Sequence, residues 1–319
     1  MKALLVLTVF AASVLALPAT PDLDPGLKTY QRVPGISGNL SAIGSDTLNN
    51  MMTHWAEGFR SLYPNVRIQI EGKGSSTAPP ALIEGTAQLG PMSREMRASE
   101  IDAFVDEFGY EPTPVYVGID AVAVYVHKDN PLPGLSLQEL DRVFSSTRKR
   151  GGSDLTRWSG VGLGGALGDR SINVYGRNSA SGTYGFFKKV VLLDGDYRAS
   201  VNEQPGSSAV VQSVATDLFG IGYSGIGYRT SGVRILALSN EGGDLLYYPT
   251  FDNALNGNYP LARFLMVYVN KPPNARLDPL TLEFLKFVLS RQGQQVVVDD
   301  RYFPLPAKVV QQQLAALSQ

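Results

Sequence analysis

The chain has 319 residues, 44% hydrophobic and 18% charged, with a formal net charge of −1. That length accommodates two domains of ordinary size, and the balance is that of a globular chain with a substantial core. Near-neutrality without a Lys/Arg-rich run excludes a broad nucleic-acid or membrane-surface patch, and the absence of cysteine excludes disulfides, thiol catalysis, Cys-ligated zinc and a lipoprotein-type anchor.

Residues 1–16 read as a signal peptide. Lys2 supplies the charged start, Ala3 to Leu15 is apolar, and Val14-Leu15-Ala16 ends in small residues suited to cleavage. The run is too short for a comfortable span, and no other stretch approaches ~20 apolar residues. Loss of Lys2 would leave the mature chain at −2. A chain exported without anchor or span is expected in the periplasm, with secretion as the other destination. Residues 17–38, rich in Pro, Gly and Asp, read as an N-terminal strap.

Alternation of elements then begins. Leu40 to Ile43 predicts a short strand ending at Gly44. Leu48, Met51, Met52, Trp55, Phe59 and Leu62 form one apolar helical face, stopped at Pro64. Val66, Ile68 and Ile70 alternate as a strand, and a second helix runs from about Thr77 to Gly85 with Pro79 and Pro80 in its first turn. This β–α–β–α order predicts an α/β layered domain with a largely parallel sheet. Val115 to Val126 reads as a strand, Leu137 to Phe144 as a helix and Ile172 to Tyr175 as a strand. Phe186 to Leu193 reads as a helix with Phe187, Val190 and Val191 inward, and Ser207 to Leu218 as a helix. Gly220 to Gly227 reads as a glycine-rich turn, Phe264 to Val269 as a strand, and Leu280–Val288 with Gly293–Val298 as a helical C-terminal region.

Three segments share one design: a strand end, glycine with hydroxyl residues, then a helix start. They are Gly44-Ser45-Asp46-Thr47, Gly72 to Thr77, and Arg177-Asn178-Ser179-Ala180-Ser181-Gly182-Thr183. Helix starts leave N–H groups unpaired and carry partial positive charge, so such termini converging make an oxyanion cradle without a large net charge. Each segment taken singly is also an ordinary N-cap. Three together, with Arg177 able to bind a phosphate bidentately, point to anion binding.

Other patterns carry less. Gly220-Ile221-Gly222-Tyr223-Ser224-Gly225 matches a dinucleotide fingerprint by letter, but it follows a helical stretch and has no ribose-binding acid in a βαβ unit. The Arg177 loop lacks the Gly-Lys-Ser/Thr ending of a P-loop. The two histidines, His54 and His127, lie far apart, which leaves a Ser–His–Asp triad or a histidine metal site poorly supported. Tyr223 and Tyr228 are expected to pack rather than to line a cleft.

Ile43 to Leu48, Gly72 to Ser76, Leu89-Gly90-Pro91-Met92-Ser93-Arg94-Glu95 and Gly176 to Tyr184 resemble the ordered motifs of the PstS-type phosphate-binding proteins of ABC transporters. The resemblance runs from about Asn39 to Pro306 and is most specific around Arg177 to Thr183. It implies a two-lobed type II periplasmic-binding-protein fold of the α/β class with the ligand cleft between the lobes. Lobe 1 would take residues 39–117 and 265–319, lobe 2 residues 118–264, with hinges near Val117–Ala121 and Pro260–Val267. It implies phosphate contacts from Thr47, Leu48, Ser75, Ser93, Arg177, Ser181, Gly182 and Thr183. It further implies delivery of phosphate to inner-membrane permease subunits by a monomer, without cofactor, metal or catalysis.

The pattern departs from the family in its acids. The aspartate that accepts the proton of hydrogen phosphate aligns with Ser93, followed by Arg94, and the one that pairs with the site arginine aligns with Ser179. Serine does not repel sulfate as a carboxylate would. Asp46 and Asp120 are then the acids to consider, each also readable as a cap or a hinge residue. Ser76, Ser179 and Arg94 are further candidates, Arg94 as a second positive contact or a solvent-facing side chain. The alternatives are a receptor for another tetrahedral oxyanion such as sulfate or molybdate, an exported phosphatase, and a secreted surface factor that reuses the fold.

Overall fold

The structure is a computed structural model that describes residues 21–240 and 245–318. The expected signal peptide lies outside the described residues. Residues 21–37 run without helix or strand, with Leu27 buried. Among the described residues no helix is long and apolar enough to cross a membrane.

The first half opens with β1 (Gly38–Ile43), α1 (Asn49–Leu62), β2 (Val66–Glu71), α2 (Ala78–Ile83) and β3 (Gly90–Met92). β1 and β2 pair in parallel, and Ala42 bridges in parallel to Leu89 just before β3. The apolar stripe of α1 buries Met51, Met52, Trp55 and Phe59, and the Trp55 indole N–H donates to the Gly293 carbonyl at 2.8 Å. Next come α3 (Ala98–Phe108), which the sequence reading leaves out, and β4 (Thr113–His127).

The second half holds β5 (Gly134–Ser136), α4 (Leu137–Phe144), α5 (Gly165–Gly168), β6 (Asn173–Arg177), α6 (Gly182–Val190) and β7 (Asn202–Gln204). It continues through α7 (Ser207–Thr216), β8 (Gly220–Gly225), β9 (Val233–Ile235), β10 (Ala237–Ser239) and α8 (Phe251–Leu255). β11 (Ala262–Val269) leads back to α9 (Pro279–Val288), α10 (Arg291–Asp299) and α11 (Ala307–Ser318), the last also unanticipated.

The central sheet has the order β3-β11-β4-β8-β6-β7, with β9 also on β4. β4 is shared along its length: Thr113–Ala121 pairs with β11, and Val122–Val126 pairs with β8. A largely parallel sheet is therefore only partly realised. β1/β2, β5/β10, β6/β7 and β6/β8 are parallel, whereas β3/β11, β4/β11, β4/β8 and β4/β9 are antiparallel. The reason is topological. β4 leads the chain away from the first-half elements and β11 brings it back to α9, α10 and α11, so the two strands lie side by side in opposite directions.

Two local expectations are corrected. Gly220–Gly225 is a buried central strand rather than a turn, because its glycines let α7 lie close. A β-carbon on Gly222 would stand 2.9 Å from both Val210 and Val214. α6 ends at Val190, which is half-buried, while Phe187 and Val191 are inward as expected.

Candidate functional site

The three glycine–hydroxyl loops meet. The first leaves β1 through Gly44 and Ser45 into a 3-10 turn at Asp46–Leu48 that runs into α1. Backbone bonds pin it: Ser45 N–H donates to Pro91 O at 2.8 Å, and Gly44 O accepts from Gly74 N–H at 2.7 Å. The second loop enters a 3-10 turn at Ser75–Thr77 before the six-residue α2. Gly74 has φ +132°, and any β-carbon there would strike the Ala180 carbonyl, so only glycine serves both the backbone and the approach. The third loop ends at Ser181, whose hydroxyl caps α6 by accepting from the Thr183 and Tyr184 amides at 3.1 and 3.3 Å.

Hydroxyls from the first and third loops then touch. Thr47 Oγ1 and Thr183 Oγ1 are 3.0 Å apart, and Ser76 N–H donates to Ala180 O at 3.1 Å. Ser75 Oγ and Ser93 Oγ stand 3.3 Å apart, the Ser93 amide donates to Ser75 Oγ at 3.0 Å, and Ser45 Oγ donates to Ser93 Oγ at 3.0 Å. Gly182 lies directly against this pair: a β-carbon on it would collide with Ser75 Oγ and stand 2.6 Å from Ser93 Oγ. Thr47, Ser75, Ser93, Ser181 and Thr183 are all buried.

Two arginine–aspartate pairs flank the hydroxyls. Arg177, only 1% exposed, meets Asp46 Oδ2 through Nη1 at 3.0 Å. The same Nη1 donates to Ser207 Oγ at 2.6 Å, and Nη2 donates to Pro205 O at 3.3 Å. Its Nε is buried without a hydrogen-bond partner. On the crossing strands Arg263 and Asp120 are register partners. Arg263 donates from Nε and Nη2 to Asp120 Oδ2 at 3.1 and 2.7 Å, from Nη1 to Ser93 O at 2.5 Å, and from Nη2 to Thr183 Oγ1 at 2.9 Å. Burial pulls the Arg263 guanidinium below the ordinary arginine value, and the Asp120 charge opposes that. Each cation thus has a carboxylate. A bound anion would meet fixed hydrogen-bond donors in a charge-balanced enclosure rather than a pool of free positive charge.

Residues 31–292 match the family model of the PBP superfamily domain. The phosphate-binding protein PstS of Pseudomonas aeruginosa is 56% identical over 312 residues, covering 98% of this chain and 97% of its own. The chain belongs to the PstS family of the PBP superfamily. Two solved structures share the fold. One is a putative phosphate ABC transporter substrate-binding protein with bound phosphate from Clostridium perfringens (TM-score 0.70, 25% identity, 84% of this chain and 100% of that one). The other is an ABC-type phosphate transport receptor from Vibrio cholerae (TM-score 0.65, 23% identity, 83% and 100%).

Ser179 is exposed in the turn before α6, outside the buried cluster. Asp46, from the first loop, pairs with Arg177. Asp120 is fully buried and held by Arg263 and by the Ile226 amide at 3.1 Å. Both acids therefore serve arginines. Arg94 does not face solvent. Glu100 grips it at 2.6 and 2.7 Å, and it donates to Ser76 Oγ at 3.2 Å, which ties β3's exit to the second loop. Burial alone would raise the Glu100 carboxyl, but hydrogen bonds from Arg94 and the Arg97 amide hold it below the ordinary value. Leu48 is buried at the start of α1. Tyr223 stacks on Phe187 at 3.9 Å as core, whereas Tyr228 donates its hydroxyl to Asp46 O at 2.8 Å and so touches the cluster's edge.

The sequence reading omits Arg263, Ser207 and Tyr302, whose hydroxyl donates to Thr47 O at 3.1 Å. Arg263 had a visible signal, a single cation at the head of an apolar strand. Ser207 and Tyr302 had none, because their partners lie 161 and 255 residues away.

Proposed function

We propose that this protein captures inorganic phosphate in the periplasm and delivers it to ABC permease subunits, acting by binding rather than catalysis and as a monomer. The family membership and the relatives' names support the class of ligand and transporter. The observation that carries the assignment to particular residues is the Arg177 Nε. A buried, unpartnered donor costs about 1–3 kcal/mol, and here it belongs to the arginine whose Nη1 meets Asp46 of the first loop and Ser207. An oxyanion held by Thr47, Ser75, Ser93, Arg177, Gly182 and Thr183 would satisfy it, with Ser181 and Leu48 positioning their loops.

Lobe 1 (39–117 with 265–319) and lobe 2 (118–264) would turn about the paired crossing segments of β4 and β11. Ligand contacts from both lobes favour the closed arrangement over the open one. Arg177→Ala should weaken phosphate binding by at least about 100-fold, since it removes a charge-assisted donor and leaves Asp46 unpaired. Calorimetry with phosphate, arsenate and sulfate in parallel measures this and the selectivity together. Undiminished phosphate binding by the variant sinks the assignment, and equal sulfate binding by the parent replaces phosphate with tetrahedral oxyanions in general.

A further inference from the structure

The start of α7 is unusual. Its N-cap residue is Gly206, which has no side chain to satisfy the exposed amides of a ten-residue helix. The missing cap comes from the other lobe. Asp46 Oδ2 accepts from the Ser207 amide at 2.8 Å and from the Ser207 hydroxyl at 2.7 Å, and it faces Arg177 Nη1 at 3.0 Å. The Asp46 carbonyl accepts from Tyr228 at 2.8 Å. Asp46 itself is anchored to lobe 1 through the neighbouring Gly44, Ser45 and Thr47 contacts with Glu71, Pro91 and Tyr302.

We propose that Asp46 is a cross-cleft latch: a lobe 1 carboxylate that caps a lobe 2 helix only while the cleft is shut. This inference rests on the reading above that the lobes open and close on a ligand. Separation of the lobes strips α7 of its cap and Arg177 of its counter-charge together, so both favour closure independently of what is bound. The latch sets how long a captured anion stays rather than how fast it arrives, because its bonds form after encounter and must break before release. It is a positioning residue. Its carboxylate is spent on Ser207 and Arg177, and it orients the guanidinium whose Nε remains for the anion.

The chain contains no cysteine, so paired labels can be placed without background. Spin labels at Glu57→Cys on α1 and Gln212→Cys on α7, both exposed, report the distance between lobes. The experiment compares this pair alone, with Asp46→Asn, and with Ser207→Ala, each without and with inorganic phosphate. Without phosphate, both variants should lose closed population relative to the parent, and amide exchange at Ser207–Val210 should quicken. With phosphate, the dissociation rate should rise about tenfold while the association rate stays within about threefold. Unchanged ligand-free distances and unchanged dissociation in both variants overturn the latch, as does an effect confined to association. Ser207→Ala keeps the test decisive should Asp46→Asn fold poorly. If phosphate fails to move even the parent's distance, the receptor reading falls, while the ligand-free comparison still judges the latch.

Discussion

Arg263 shows how much one side chain carries. It sits at 8% exposure on β11 and holds Asp120, Ser93 and Thr183 with one guanidinium, fixing the β3 exit and the start of α6 relative to the paired strands β4 and β11. Its removal would leave Asp120, fully buried, with only the Ile226 amide. Arg263→Met should therefore cost about 3–5 kcal/mol in denaturant unfolding, and the double change with Asp120→Asn should recover most of it. A loss under 1 kcal/mol in the single variant would mean that water replaces the guanidinium. At this scale the sequence disclosed the hydroxyls well. Thr47, Ser75, Ser181 and Thr183 lie in short glycine–hydroxyl loops, where local rules apply, whereas Ser93 came from the resemblance alone. It disclosed the ionic partners poorly. Asp46 and Arg177 are 131 positions apart by number, and nothing local to either states that they meet.

At the scale of elements, periodicity identified α1, α4, β2 and β4 because each has one clean apolar face or a continuous apolar run. β8 defeated it because glycine is a poor strand former and signals a turn by composition. In place, Gly222 is a packing device that lets Val210 and Val214 of α7 rest on the strand. Gly222→Ala should push α7 outward and destabilise the protein by about 1–3 kcal/mol, measured by thermal or denaturant unfolding. Because α7 carries Ser207, the same variant should also weaken anion binding. Stability unchanged to within a few tenths of a kcal/mol would show that α7 moves without penalty. The glycine–hydroxyl loops were legible for the opposite reason: a strand end, a glycine and a cap occur in sequence order within a few residues.

At the scale of the molecule, the two-lobed α/β architecture followed from the resemblance rather than from periodicity, which predicted a more parallel sheet. The antiparallel centre follows from a long-range fact, the pairing of β4 with β11 across the whole intervening lobe. That pairing also bears on how the chain reaches its fold. Trp55 closes its hydrogen bond on Gly293 across 238 residues, and α1 packs on α9 and α10 from the far end of the chain. The intervening stretch from β5 to β10 needs no such wait, since β6, β7, β8 and α7 pack on one another and on the end of β4. Loop closure over long separations is slow, and larger chains acquire structure unit by unit. On dilution from denaturant, pulsed amide labelling should find α7 and β8 protected before α1 and β1, so that the stretch synthesised first is among the last to become native.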